Sequence, residues 1–331
     1  MKVLVTGATG FIGSTLCRRL CEAGHTTAAF HRPSSLTAGI AGLPLTELTG
    51  DLTEAESVDR AVAAFCPEVI FHLGAQMTPA PTVDRIMQIN VLGTRAVLQA
   101  ALKYRVNRVI LMSSAGTLGL PELHPDHDRQ PPLLRESRVR ESGNGLRPFA
   151  RSKYLAEMEA QSAAVMGLDV VILNPFMVIG PGDWYRRKSS FLLRLKQNPP
   201  EVMVRGGLNI ISVEDAVSAL INGCRYGKTG ERYLLCGNNL SFRELCESCA
   251  KAGGFESPRL LLENENFAKL MAKFGAGSKI QLECLDDSLF NYTNRFFYYD
   301  PSKSRIGLHL SPPETLDLTI EKTYRWLEEN A

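Results

Sequence analysis

Hydrophobic and polar positions along the chain switch repeatedly between two periods. Val3 to Val5 is a short apolar run suited to a buried parallel strand, and Phe11 to Glu22 carries its apolar residues at helical spacing on one side. The same pairing recurs. His25 to Phe30, Leu45 to Leu48, the run from Glu68 to Leu73, Arg108 to Met112 and Val170 to Asn174 read as further strands, and helical patterns cover Val83 to Tyr104 and the stretch after Pro148. Val213 to Tyr226 predicts a helix, Glu231 to Leu235 a strand, and Phe242 to Ala252 another helix. At the end, Pro313 to Glu329 is amphipathic, with Leu316, Ile320, Tyr324 and Leu327 on one face. Strand and helix in alternation predict an α/β fold, a Rossmann-type doubly wound parallel sheet with a smaller C-terminal lobe. The expected division is 1–174 for the sheet domain, with 204–235 returning to it, and 175–203 plus 236–331 for the lobe. No internal repeat or long linker interrupts this plan.

Between the first strand and the first helix lie three glycines, in Thr6-Gly7-Ala8-Thr9-Gly10-Phe11-Ile12-Gly13. Gly7 permits a sharp turn, Gly10 lets backbone approach a pyrophosphate, and Gly13 lets the helix pack on the strand. Backbone N–H groups from Thr9 to Ile12 and the positive helix end would hold a diphosphate. Glycine-rich turns are common in loops; the placement after a strand and before a helix makes this one a dinucleotide signal.

Composition narrows the chemistry. The 331 residues are 44% hydrophobic and 22% charged with a formal net charge of +2, which speaks against a nucleic-acid or anionic-membrane partner and favours small-molecule chemistry. The first strand begins at Lys2, leaving no room for a signal peptide, and no apolar run approaches a membrane span, so a cytoplasmic location is expected. Eight cysteines raise the question of metal. Cys17 and Cys21 share the first helix, whereas Cys246 and Cys249 form a Cys-x-x-Cys in the C-terminal half, so reduced thiols packed as small hydrophobes are expected, and no metal. The loop His124-Pro125-Asp126-His127-Asp128 looks like a ligand set but reads as a solvated turn.

An NAD enzyme of this design usually carries an acid about 20 residues after the glycine motif. Here the second strand runs into His31-Arg32-Pro33-Ser34-Ser35, without a carboxylate. Arg32 with His31 and the Ser34 and Ser35 hydroxyls suits a 2′-phosphate, so NADP is favoured and NAD is the alternative. Asp51 could accept from the adenine amino group or cap the helix beginning at Thr53-Glu54-Ala55-Glu56. Leu52 follows it. Leu73-Gly74-Ala75 lets backbone run along the cofactor, and Ser113-Ser114 lies at the C-terminal end of a parallel strand, where ligands bind.

Together these residues resemble a known family. Thr6 to Gly13, Gly50-Asp51-Leu52, His72-Leu73-Gly74-Ala75, Asn90-Val91-Leu92-Gly93-Thr94 and Ser113-Ser114-Ala115-Gly116-Thr117 are similar, in that order, to the extended short-chain dehydrogenase/reductase superfamily, NAD-dependent epimerase/dehydratase group. Val171 to Pro175, Gly180-Pro181-Gly182-Asp183, Gly207-Leu208-Asn209 and Gly230 to Tyr233 are most similar to dihydroflavonol-reductase-like enzymes and hopanoid-associated sugar epimerases. The resemblance implies that Ser114 positions a substrate oxygen, that Lys153 bonds the nicotinamide ribose, and that Asn90, Pro175 and Val178 belong to the cofactor site. Met77, Phe176, Trp184 and Tyr185 become candidate substrate contacts. It also implies a homodimer through the helices starting near Val83 and Pro148.

One position departs. In Pro148-Phe149-Ala150-Arg151-Ser152-Lys153 the superfamily's catalytic tyrosine is Phe149, which keeps the ring but has no proton to exchange. Tyr154, five residues later, is rotated well away on a helix. Three explanations stay open: an engineered inactive variant, a non-catalytic NADP-binding regulatory protein, or an enzyme whose proton donor has moved, to Ser113 and Ser114 or to the loop from His124 to Asp128. The leading expectation is an NAD(P)(H)-dependent oxidoreductase acting on a carbonyl or secondary alcohol. Nucleotide-sugar epimerisation or dehydration is the alternative, weakened because Leu208 stands where many sugar-nucleotide enzymes carry a diphosphate-binding arginine. Arg205, Arg186 or Arg187 would have to compensate.

Overall fold

A computed structural model describes residues 1–77, 82–124, 130–137, 147–185, 190–199, 202–257, 260–262 and 294–330. Its centre is a seven-stranded, all-parallel sheet. Strands β1 (Lys2–Thr6), β2 (Thr26–His31), β3 (Thr46–Thr49), β4 (Val69–His72), β5 (Arg108–Met112) and β6 (Val170–Pro175) are joined by β10 (Arg232–Leu235), in the order β10-β6-β5-β4-β1-β2-β3. The order reverses at β1, between β2 and β4, so a crevice opens above the C-terminal ends of these strands.

Both faces of the sheet are covered, which explains the near-continuous apolar runs. Val3 and Val5 point into one core with Leu16 and Leu20 of α1 (Phe11–Glu22) and Val217 and Leu220 of α7 (Val213–Tyr226). Leu4 points the other way, among Val58 and Val62 of α2 (Ala55–Phe65), Val97 of α4 (Gly93–Lys103) and Ala160 of α5 (Pro148–Val165). The helix expected over Val83 to Tyr104 is interrupted. It comprises α3 (Val83–Met87), a π turn over Gln88–Leu92, and α4. The Thr94 hydroxyl donates to the Asn90 carbonyl at 2.7 Å, taking an acceptor that the helix ladder would otherwise use.

A second core builds the lobe. Within 204–235, α7 and β10 lie with the main sheet, whereas β9 (Gly207–Ser212) pairs with β7 (Met177–Ile179), β11 (Asn238–Ser241) and β13 (Phe296–Phe297). Strands β8 (Val202–Val204) and β12 (Leu260–Leu262) form a separate pair. Helices α6 (Ser190–Gln197), α8 (Phe242–Gly253) and α10 (Leu316–Glu329) pack on this lobe, while the short α9 (Ser302–Gly307) lies beside β10. Ile320, Tyr324 and Leu327 of α10 are buried as the amphipathic pattern requires, and Leu316 packs against the same core. Cys17 lies in the first core and Cys246 and Cys249 in the lobe core, so the two cysteine pairs belong to different layers. Among the described residues no three His, Cys, Asp or Glu side chains converge as metal ligands, and no helix is long and apolar enough to cross a membrane.

Candidate active site

The glycine turn forms the floor of one end of the crevice. Gly7 has φ +69°, and a Cβ there would sit 2.7 Å from the Gly74 nitrogen. A Cβ on Gly13 would lie 2.1 Å from the Gly7 carbonyl oxygen, so α1 and β1 approach more closely than any side chain allows. At Gly10 the nearest obstacle is the Gly7 oxygen at 3.2 Å. Gly10 is also the N-cap of α1 and supplies no side-chain cap, and the first turn carries no acid. The helix start therefore offers uncapped N–H groups and an uncompensated positive end to an anion, which fits a pyrophosphate.

A chain of buried hydrogen bonds braces this turn from behind. Gly74 N–H donates to Thr6 Oγ1 at 3.2 Å, Thr6 bonds His72 Nδ1 at 2.6 Å, and His72 Nε2 bonds Thr94 Oγ1 at 2.9 Å. Because Thr94 spends its proton on the Asn90 carbonyl, it must accept from His72, which fixes the ring as the neutral Nε2–H form. Burial, helped by the charge of Lys153, holds the His72 pKa down to about 3. Its contribution to stability is therefore fully present above the ordinary histidine value near 6.5 and is lost as pH falls below it. Thermal unfolding should show Tm dropping between about pH 6.5 and 4, and His72→Leu should flatten that slope while lowering Tm at pH 7.

At the far end of the crevice, Arg32 and Ser35 line the wall and Ser34 does not. His31 also touches the wall, but its ring is committed to the Arg32 carbonyl and to Glu47 Oε2, each at 2.9 Å. It braces the Arg32 backbone. Asp51 serves the local turn first: its Oδ1 accepts from the Thr53 N–H and hydroxyl, both at 2.9 Å, and Arg85 lies 3.7 Å from Oδ2. Burial alone would raise the Asp51 pKa, but the two Thr53 bonds with Arg85 and Arg32 bring it below the usual range. Leu52, Leu73, Gly74 and Ala75 complete this wall, together with Phe30 and Gly50.

The other end collects the residues expected to carry chemistry. Phe149, Lys153 and Glu157 stand at i, i+4 and i+8 on α5, one row of side chains running from the crevice into the protein. Phe149 and Lys153 line the same crevice as Ser113, Ser114, Pro175, Phe176 and Val178. Lys153 is buried and its Nζ donates to the Met112 carbonyl at 2.5 Å. Burial lowers its pKa to about 8, with Glu157 working in the opposite direction. Ser114 Oγ accepts from the Gly116 N–H at 3.1 Å, which leaves its own proton for another acceptor. Glu157 accepts from Ser113, from Asn174 Nδ2 at 2.6 Å and from Arg232 Nη1 at 3.1 Å. Glu157, His72 and the wall residue Asp183 are part of this apparatus and carry no role in the sequence-based reading; the available signal for Glu157 is its i+4 spacing from Lys153.

Several candidates sit elsewhere. Asn90 is fully buried beside the wall: it accepts from the Gln76 N–H at 2.7 Å and donates to the Gln76 carbonyl and to Ser152 Oγ, so it fixes the segment that brings Gln76 and Met77 to the crevice. Trp184 packs edge-on against Trp326 of α10 with ring centres 5.3 Å apart, whereas its neighbour Tyr185 lines the crevice and accepts from the Leu36 N–H at 3.1 Å. Phe176 stacks on Phe297 at 4.9 Å and so joins crevice to lobe core. Leu208 is buried in that core. Arg205 donates to the His124 carbonyl and lies 5.2 Å over Phe296, away from the crevice wall. Arg186, Arg187 and 125–128 lie outside the described residues.

A parallel sheet whose glycine turn and Ser-Lys pair face one crevice defines an NAD-binding protein of the extended short-chain dehydrogenase/reductase type. The chain belongs to the NAD dependent epimerase/dehydratase family, whose profile matches residues 3–236. It is similar to sterol demethylase protein B of Methylococcus capsulatus, 30% identical over 334 residues covering 95% of each chain. A dihydroflavonol 4-reductase-like protein of Synechocystis is 28% identical, covering 98% of this chain and 94% of its own. Among solved structures, gox2253 superposes with a TM-score of 0.83 at 26% identity, covering 99% of this chain and 98% of the other.

Proposed function

We propose that the protein is an oxidoreductase that moves a hydride between a nicotinamide dinucleotide, NADP(H) in preference to NAD(H), and a carbonyl or secondary alcohol on a small molecule. The observation that supports this reading most is the convergence of Ser114 and Lys153 on the crevice that begins at the Gly7–Gly13 turn. Residues 1–174 with α7 and β10 would bind cofactor, and most of the remainder would bind substrate. Bound there, the nicotinamide supplies or takes up the hydride. Thr9 to Ile12 and Gly13 would hold the diphosphate, Lys153 the nicotinamide ribose, and Pro175 to Val178 would flank the ring. The free Ser114 proton would be directed at the substrate oxygen. A sugar nucleotide is disfavoured because Leu208 is apolar and Arg205 is engaged elsewhere, so neither supplies a cation to a buried diphosphate.

The test is product analysis with NADPH over a ketone and sugar panel: a reductase consumes the cofactor stoichiometrically, whereas an epimerase regenerates it and shows no net loss. Cofactor choice has its own test. Arg32→Ala should weaken NADPH binding by about 10- to 100-fold, the worth of one charged hydrogen-bonding group, with little change for NADH. Equal loss for both would contradict the assignment. The exposed Val83, Leu92 and Met158 mark the faces proposed for a homodimer, which sedimentation analysis would detect, and a cytoplasmic location accompanies this reading.

A further inference from the structure

The row Phe149, Lys153, Glu157 leaves a question that the proposed reaction must answer, since the alkoxide formed by hydride addition needs a proton and the residue facing it at 149 has none. We infer that Lys153 is itself the acid–base group, its ammonium giving a proton to the substrate oxygen positioned by Ser114, with Glu157 as the positioning residue that keeps the ammonium charged. This rests on the oxidoreductase reading and deepens it.

The geometry is specific. Lys153 Nζ is anchored at the Met112 carbonyl, two residues before Ser114 at the end of β5, and both side chains line the crevice. Only one of its protons is spent on Met112. Phe149, one turn nearer the helix start, forms an apolar wall beside it, so position 149 supplies no phenol for the role. Burial brings Lys153 to about 8, within reach of neutral pH, where a lysine can exchange a proton. Glu157 on its own helix raises its affinity for the proton, His72 at the end of β4 stays neutral throughout this range, and Arg232 on β10 is held across Glu157. Glu157 is itself fixed by Ser113 and Asn174, so its charge is held in one place.

In reduction, hydride forms the C–H bond, the carbonyl π pair moves to oxygen, and one Lys153 N–H breaks to form the alcohol O–H. The neutral amine then recovers a proton from water. In oxidation the amine takes the alcohol proton as hydride leaves. The two directions therefore have opposite pH dependence: reduction declines as pH rises through the Lys153 midpoint, and oxidation increases.

Cofactor-free protein labelled at the lysine ε-carbon tests the group directly by NMR titration. One lysine resonance should titrate with a midpoint near 8, vanish in Lys153→Arg, and move to lower pH in Glu157→Gln. A Lys153 midpoint at an ordinary lysine value near 10 would overturn the inference. Kinetics supply the second arm, with NADPH and a ketone panel. Reduction by the unmodified protein should fall tenfold per pH unit above the same midpoint, and the Phe149→Tyr variant should lose that dependence. A profile flat across pH 7–9 would overturn it. If Phe149→Tyr reduces ketones and the unmodified protein does not, Lys153 is not the donor and the oxidoreductase reading stands; if neither oxidises NADPH with any carbonyl, that reading fails first.

Discussion

Phe149→Tyr should raise the rate of NADPH-dependent carbonyl reduction by about tenfold per pH unit above pH 8, where the Lys153 ammonium is depleted and a phenol can take over as general acid. The ring is already in place. Phe149 lies at the mouth of the crevice beside Lys153 and Ser114, so the substitution adds one hydroxyl to an existing aromatic position without changing the helix. Steady-state kinetics on the same ketone panel measure the change. If the gain is absent while the variant binds NADPH normally, the alignment of position 149 with the proton donor is wrong.

The glycine turn should separate two effects that sequence alone merges. Gly13→Ala must push a Cβ into the Gly7 carbonyl 2.1 Å away, so the turn has to shift, at a cost of about 1–3 kcal/mol or more, and both Tm and dinucleotide binding should fall. Gly10→Ala meets only one atom, at 3.2 Å, and faces the crevice. It should leave Tm close to its original value while weakening NADPH binding by at least tenfold. Calorimetry and fluorescence titration on the pair resolve this; equal Tm losses in both variants would mean that Gly10 is as structurally confined as Gly13.

What the amino-acid sequence makes legible here follows from how local each signal is. The run Val3 to Val5 and the Gly7-Gly10-Gly13 spacing are local, and both the strand and the close approach of α1 are found where they are expected. Arg108–Met112 and Val213–Tyr226 match residue for residue, because strand length and helix period are short-range properties. Partnership is not local. Gly207 to Ser212 is apolar enough for either sheet, and only the positions of β7, β11 and β13 decide that it joins the lobe. The π turn at Gln88–Leu92 depends on a hydroxyl competing for one carbonyl, which helical periodicity cannot reveal. Trp184 and Tyr185 are adjacent and equally aromatic, yet one packs on Trp326 and the other lines the crevice. Glu157 reads as a surface acid until α5 is laid on β6; then the row that begins at Phe149 carries it to Ser113 and Arg232.

The central claim is hydride transfer in the crevice between the Gly7–Gly13 turn and Lys153. It is tested most directly by incubating the Phe149→Tyr protein with NADPH deuterated on one face of the nicotinamide C4 and a ketone panel, then reading product mass. Transfer of one deuterium to the carbinol carbon, from one face only and lost on Lys153→Met, is the predicted result. NADPH bound in the crevice with no deuterium in any product, or an isomerised sugar with the label retained in the cofactor, would contradict it.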